Sequence, residues 1–404
     1  MVTSVSQNKR VVSGMRPTGK LHLGHYHGVL KNWIKLQHEY ECIFFVVDWH
    51  ALTTHYENSR IIKENVWEVV IDWLAAGINP GSAHICIQSW IPEVAELHLL
   101  LSMITPLGWL ERVPSYKDQQ EKLKELDLAT YGFLGYSALQ AADILLYKAS
   151  YVPVGEDQVA HIEIAREIAR RFNHIYGREP DFNEIAEVSV NKMGKKNAKI
   201  YRELRRKYQE QGDAAALEVA QALLDEQQNI SMGDRERLLG YLEGSGRIIL
   251  PVPEVLLTED SRLPGLDGQK MSKSYHNTIM LREDLDQVEA KIRTMQTDPA
   301  RVRRTDPGEP DKCPVWGLHK VYSNDEVKNW VQTGCRSAGI GCLDCKKPLI
   351  DAVKKELEPI QAAAKEYEAN PKLVESIVRE GTEVAREQAR ETLIEVREAI
   401  GLDY

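Results

Sequence analysis

Gly14-Met-Arg-Pro-Thr-Gly-Lys-Leu-His-Leu-Gly-His25 is the stretch from which the fold can be read. It follows a β-branched pair, Val11-Val12, and runs into Tyr26, Val29, Leu30, Trp33 and Ile34, apolar at helical spacing. The order is strand, Gly/Pro turn, helix start. A helix start offers free backbone N–H groups and a positive dipole end, which suit a phosphate. Gly14, Gly19 and Gly24 allow close approach of the backbone to a ligand. His22 and His25 project from the same side of the first turn. Four residues alone fit a helix-capping turn equally well.

The flanking pattern repeats. Cys42-Ile-Phe-Phe-Val-Val-Asp48 is a continuous apolar run, the mark of a parallel strand covered on both faces. Residues 60–76 predict a helix with Ser59 as N-cap and Gly77 at its end. His84–Gln88 predicts another strand, so the start of the chain reads as a doubly wound α/β domain. Residues 93–150 read as mostly helical. Tyr151–Val154 reads as a strand, Gly155-Glu-Asp-Gln158 as a turn, and Ile162, Ala165, Ile168, Ala169 and Phe172 as the inner face of a long helix. The turns at 14–25 and 155–158 both leave carboxyl ends of strands, where open sheets bind ligands.

Residues 184–250 differ in character. Within them, 191–207 holds eight Lys/Arg against one Glu. This segment predicts an inserted helical hairpin, either a solvated face or an RNA contact. A Gly/Pro-set loop at 262–274 contains Lys270-Met-Ser-Lys-Ser274, and a second basic cluster comprises Lys291, Arg293, Arg301, Arg303 and Arg304. From about 347 the chain reads as helices, the last one starting at Pro371 and ending before Gly401.

The chain has 404 residues, enough for two or three domains, and 43% hydrophobic against 27% charged residues, ordinary for a globular protein. The net charge of −9 argues against a uniformly basic nucleic-acid binder but allows a local basic surface. No apolar run predicts a membrane span and the N-terminus has no secretory pattern, so a cytoplasmic location is expected. Cys42 and Cys86 sit in apolar runs, whereas Cys313, Cys335, Cys342 and Cys345 fall in one region. In a cytosolic chain such a grouping points to a metal before disulfides, and four thiolates suffice for Zn²⁺ or a [4Fe–4S] cluster.

His22-Leu-Gly-His25 and Lys270-Met-Ser-Lys-Ser274 gain meaning together. Each occurs once, in this order, with an α/β domain between them. Histidines and N–H groups can hold a triphosphate from one side while mobile lysines follow the charge onto leaving pyrophosphate. The pair resembles the signatures of class I aminoacyl-tRNA synthetases. Within that class, Ala141-Ala-Asp-Ile-Leu-Leu-Tyr147 and Val152-Pro-Val-Gly-Glu-Asp-Gln158 resemble the tryptophanyl-tRNA synthetase family over most of the chain except 184–250.

The resemblance implies that ATP activates L-tryptophan as an adenylate, Mg²⁺ travelling with ATP, and that the tryptophanyl group passes to tRNA(Trp). It implies catalytic roles for His22, His25, Lys270 and Lys273. Arg16, Pro17, Thr18, Gly24, His25, Gly155, Glu156, Asp157, Leu263, Met271, Ser272 and Ser274 would complete the ATP site. Tyr136, Gln140 and Gln158 would orient the amino acid, and Asp143 would accept the indole N–H. That role also follows from the chemistry, because an indole N–H is only a donor and a selective pocket needs a fixed acceptor. Gln140, where many relatives carry methionine, keeps tyrosine as the alternative substrate.

Some members of the family carry a [4Fe–4S] cluster on a similar cysteine pattern, which favours the cluster over Zn²⁺ for Cys313, Cys335, Cys342 and Cys345. The expected architecture is a Rossmann-like doubly wound parallel sheet in 1–183, interrupted by the 184–250 insertion and resumed at 251–285. A helical anticodon-binding domain at 286–404 would follow, in a homodimer. A non-catalytic RNA-binding paralogue is opposed by the intact histidines and lysines. A small-molecule adenylyltransferase is opposed by the helical tail and the Lys-Met-Ser-Lys-Ser loop.

Overall fold

The computed structural model describes residues 9–114, 116, 129–257 and 263–404, the side chains of Asp157 and Ser274 excepted. The chain forms two compact units. One comprises Met1–Trp90, Pro153–Glu156 and Leu256–Val384, the other Ile91–Val152, Asp157–Val255 and Ala385–Tyr404.

The first unit is built around β1 (Arg10–Met15), β2 (Glu41–Val46) and β3 (Ala83–Ile87). β1 pairs parallel to β2 from Arg10↔Glu41 to Met15↔Val46, and β2 pairs parallel to β3. β4 (Tyr151–Val154) and β5 (Glu254–Leu257) complete the order β3-β2-β1-β4-β5. The order reverses between β1 and β4, the switch point at which such sheets open a ligand crevice. Val11, Val12, Ile43 and Phe44 are fully buried, as the uninterrupted apolar runs predict. β5 escapes a sequence reading because four residues after two prolines carry almost no periodicity.

The helix after β1 runs through three pieces: Leu23–His25, a π-helical turn at Tyr26–Leu30, and Lys31–Leu36. Trp33 stacks on Phe44 with centroids 4.3 Å apart and meets Trp73 edge-on at 5.1 Å, which locks this helix to β2 and to α1 (Arg60–Ala76). Gly77 ends α1 at φ +114°, as predicted. Ser59 does not cap it. Its own backbone is already helical, continuing the 3₁₀ turn Tyr56–Asn58, so its hydroxyl has no N-cap geometry. Gly14 serves packing rather than ligand approach, since a Cβ there would lie 2.7 Å from Val47 Cγ1. The unit also holds α2 (Leu285–Thr294), α3 (Pro314–Tyr322), α4 (Asp325–Arg336) and α5 (Cys342–Ala369).

The second unit contains helices Glu93–Ser102, Tyr136–Leu145 and Val159–Tyr176. In place of the expected hairpin, the inserted segment forms four helices: Phe182–Lys192, Gly194–Gln211, Ala214–Asp225 and Met232–Glu243. They enclose their own core of Val190, Tyr201, Leu224, Leu238 and Leu242. Asp213 and Ser231 cap the third and fourth, which subdivides what composition shows as one Ala/Leu/Glu-rich stretch. Among the described residues no helix is long and apolar enough to cross a membrane.

Candidate active site

The β1 exit builds one half of a phosphate site. Met15 ends the strand, the Thr18 N–H turns back to Arg16 O at 2.9 Å, and Pro17 is buried. Gly19 at φ +125° is required twice over: few L-residues adopt that backbone, and a Cβ would lie 2.8 Å from Lys273 Nζ. The His22 and His25 rings lie 3.8 Å apart, and the His22 N–H donates to His25 Nδ1 at 3.2 Å. Gly24 is the close-approach glycine here, since a Cβ would meet His22 at 2.9 Å and Met271 at 3.3 Å.

Burial favours the neutral form of both imidazoles. Burial, and then Lys273, brings His22 down to about 4, and its buried Nδ1 has no hydrogen-bond partner among the described residues. Burial, His22, Lys273 and Lys270 hold His25 well below the usual histidine range. Burial also lowers Lys273 to about 8 against the opposing pull of Asp72, and its Nζ donates to Thr18 O at 3.4 Å. The structure therefore brings His22, His25, Thr18, Gly24, Met271 and Lys273 together, with Lys270 exposed beside them. Gly155 and Glu156 leave β4 at the same end of the sheet. The side chains of Asp157 and Ser274 lie outside the described residues.

The lysine loop is pinned by a residue that sequence reasoning missed. Asn277, 3% exposed, accepts the Ser272 N–H at 2.8 Å and donates to Asp267 at 2.7 Å and Lys270 O at 3.1 Å. Pro264 and Lys270 bridge antiparallel, and the Met271 N–H reaches the O of buried Leu263 at 3.4 Å.

The two motifs are physically joined. Leu23 N–H donates to Ile279 O at 2.9 Å and Leu281 N–H to Leu21 O at 3.0 Å. Asp72, 1% exposed on α1, clamps that joint by accepting the Leu21 N–H at 2.8 Å and Arg282 Nε at 2.6 Å. Burial pushes its carboxyl up while Arg282 and Leu21 pull against it. Arg282 also bonds Glu68 at 2.5 Å and Glu368. The pairing of residues 72 and 282 has no local sequence signal.

In the second unit, Tyr136, Gln140 and Asp143 share one face of the helix Tyr136–Leu145. Asp143 is 2% exposed, and buried Gln140 Oε1 has no hydrogen-bond partner among the described residues. The Tyr136 ring lies 5.6 Å from His161, which bonds Ser137 at 2.8 Å. His161 is a further polar residue that an apolar-face reading of its helix passes over. Gln158 is half-buried at the start of that helix.

Cys313, Cys335, Cys342 and Cys345 line one small cavity with Thr297, Asp298, Arg301 and Val315. No disulfide joins any of the four. Burial, and then the other three cysteines, push the Cys345 thiol up to about 12. Arg301 is buried, with Nη1 3.9 Å from Cys335 Sγ, so it is no solvent-facing RNA contact, whereas Arg303 and Arg304 are exposed. Among the described residues no set of three or more His, Cys, Asp or Glu groups is arranged to hold a metal ion.

The family described as tRNA synthetases class I (W and Y) matches residues 5–201 and 224–358, the gap falling inside the four-helix segment. The tryptophan–tRNA ligase of Ralstonia nicotianae is 65% identical over 396 residues, covering 98% of this chain and 99% of that one. That of Thermotoga maritima is 44% identical over 397 residues, covering 98% and 100%. Among solved structures, tryptophanyl-tRNA synthetase from Campylobacter jejuni, complexed with ADP and tryptophan, superposes with TM-score 0.72 at 28% identity over 97% of this chain and 100% of that one. The motifs of residues 14–25 and 270–274, the sheet that carries them and these relatives agree, and the chain belongs to the tryptophanyl-tRNA synthetases of class I.

Proposed function

We propose that this ATP-dependent ligase condenses the carboxylate of L-tryptophan with the α-phosphate of ATP, releasing pyrophosphate, and passes the tryptophanyl group to tRNA(Trp). The observation that carries the first step is Lys273, held against the Thr18–Gly19 turn beside the closely packed His22 and His25 rings. In this reading the neutral imidazoles and backbone N–H groups hold phosphate oxygens as donors, and no protein nucleophile is needed. Lys270 and Lys273 follow the charge onto the departing pyrophosphate, with Mg²⁺ carried on ATP. Arg16, Pro17, Thr18, Gly24, Gly155, Glu156, Asp157, Leu263, Met271, Ser272 and Ser274 frame the nucleotide. Asp143 accepts the indole N–H while Tyr136, Gln140 and Gln158 orient the rest of the amino acid. Amino-acid-dependent ATP–pyrophosphate exchange tests this: exchange with tryptophan supports it, and exchange with tyrosine alone overturns the substrate assignment.

Four supporting assignments belong to the same reading. A [4Fe–4S] cluster on Cys313, Cys335, Cys342 and Cys345 is favoured over Zn²⁺. The four thiols line one cavity with the buried cation Arg301, and it and buried Lys346 would offset a cluster's thiolate charge. Such a group supplies a cross-link among three chain segments and a redox-sensitive centre. Homodimerisation is supported by exposed Leu99, Met103 and Leu107 in one short segment. Exposed Lys195, Lys196, Lys199 and Arg206, with Arg303 and Arg304 of the 286–404 region, are the RNA-facing cations. The location is cytoplasmic.

A further inference from the structure

His27 stands two residues beyond the second signature histidine and faces a different environment. It lies in the π-helical turn Tyr26–Leu30, closed by the Lys31 N–H on Tyr26 O. Such turns insert one residue into a helix and recur at functional sites. Here the turn separates two histidines: His25 sits against His22, its proton affinity lowered by burial, then His22, Lys273 and Lys270, while His27 contacts α3 and α5.

His27 Nε2 lies 2.8 Å from Glu356 Oε2 and 2.9 Å from Tyr322 Oη, and Tyr322 Oη donates to the same Glu356 oxygen at 2.7 Å. Lys31 Nζ donates to Glu356 Oε1 at 2.7 Å and reaches His27 Nδ1 at 3.3 Å. The His27 side chain is 5% exposed. Burial would raise the Glu356 carboxyl, but these donors outweigh it and hold it at about 2. Moving the ring away from Tyr322 and Glu356 would break these buried polar contacts.

The partners of His27 lead to the cysteine cavity. Tyr322 ends α3, whose N-cap is Cys313. Glu356 lies on α5, three turns, or about 16 Å, beyond Cys345 in its first turn. His319, fully buried one turn before Tyr322, lies 3.4 Å from Cys345 Sγ through Nε2 and 2.7 Å from Ser323 through Nδ1. The two helices are thus cross-linked at the cysteine end by His319–Cys345 and at the signature end by Tyr322–Glu356.

We propose that His27 is a positioning residue for adenylate formation: gripped by Tyr322 and Glu356, it fixes the rotation of the signature helix and couples the phosphate-holding turn to the helix pair that carries Cys313, Cys342 and Cys345. This rests on the ATP reading of the turn above. By linkage, ATP bound at His22–His25 must in turn change the protection of α3.

Tyr322→Phe tests the coupling by removing one hydroxyl, and Glu356→Gln serves as a second variant. Pyrophosphate exchange should lose about tenfold in kcat/KM for ATP with KM for tryptophan unchanged, about 1.4 kcal/mol. Hydrogen–deuterium exchange of peptides spanning residues 314–322, with and without a non-hydrolysable ATP analogue, should show added protection in the wild type that both variants lose. Exchange within twofold of wild type, an equal rise in KM for tryptophan, or equal ATP-dependent protection in wild type and variants would overturn the proposal. Separate measurement of ATP binding to the wild type distinguishes failure of the ATP reading, since absent binding would sink that reading and this proposal together.

Discussion

Asp72→Asn tests whether the two ATP motifs act as one aligned unit. Asp72 accepts the Leu21 N–H at 2.8 Å and Arg282 Nε at 2.6 Å. An amide keeps one acceptor and turns a donor toward the other partner. The loss of one charge-assisted hydrogen bond amounts to about 1.5–3 kcal/mol. The full cost of an orphaned buried cation, about 3–5 kcal/mol, does not apply, because Arg282 retains Glu68 and Glu368. We expect about 2–3 kcal/mol of global destabilisation, measured by urea unfolding. The larger effect should be on catalysis. Leu21 precedes His22, and Leu281, bonded to Leu21 O, precedes Arg282. A displacement of about 1 Å at this joint should lower kcat/KM for ATP by about 10²-fold. Glu68→Gln is the control. Glu68 is 32% exposed, and its loss should cost under about 1 kcal/mol with activity retained. If Asp72→Asn loses stability yet keeps pyrophosphate exchange within twofold, or if Glu68→Gln is equally harmful, the clamp argument is wrong.

Three other predictions follow from the same geometry. Lys273, lowered to about 8 in the free protein, should regain its proton beside a phosphate, so ATP affinity falls as pH rises through 8 and binding takes up protons there; calorimetry in two buffers of different ionisation enthalpy reads the uptake, and none at pH 8 contradicts the assignment. His22, neutral in the fold down to about 4, is protonated more readily when unfolded, so its contribution is intact above 6.5 and is lost as pH falls toward 4, at most about 3 kcal/mol; urea midpoints of wild type and His22→Gln should diverge above pH 6 and converge near 4, whereas parallel curves would count against burial as the cause. Asn277→Ala frees Ser272, Lys270 and Asp267 together, so KM for ATP should rise about tenfold while KM for tryptophan stays put; an equal rise in both would show a wider collapse.

The chain's own order of residues determines a good deal. Val11-Val12 and Cys42–Val47 specify buried parallel strands because nothing polar interrupts them, and Gly14–His25 specifies the strand–turn–helix start through local steric and hydrogen-bonding rules. The joint presence of 14–25 and 270–274 selects the chemistry, since neither motif depends on distant contacts for its residue types. The division of the inserted segment into four helices is less legible, because Asp213 and Ser231 act as caps only once the Ala/Leu faces have partners.

The tertiary structure alone decides three things. It makes Arg301 a buried neighbour of Cys335 rather than a surface cation. It gives Gly14 a packing role against Val47. It also joins residues 21–23 to 279–281, with Asp72 and Arg282 as the clamp and His27 gripped from residues 322 and 356. Each is a pairing across tens to hundreds of residues. A side chain's type tells what it can bond, but which distant partner it meets depends on how the sheet and helices close around it.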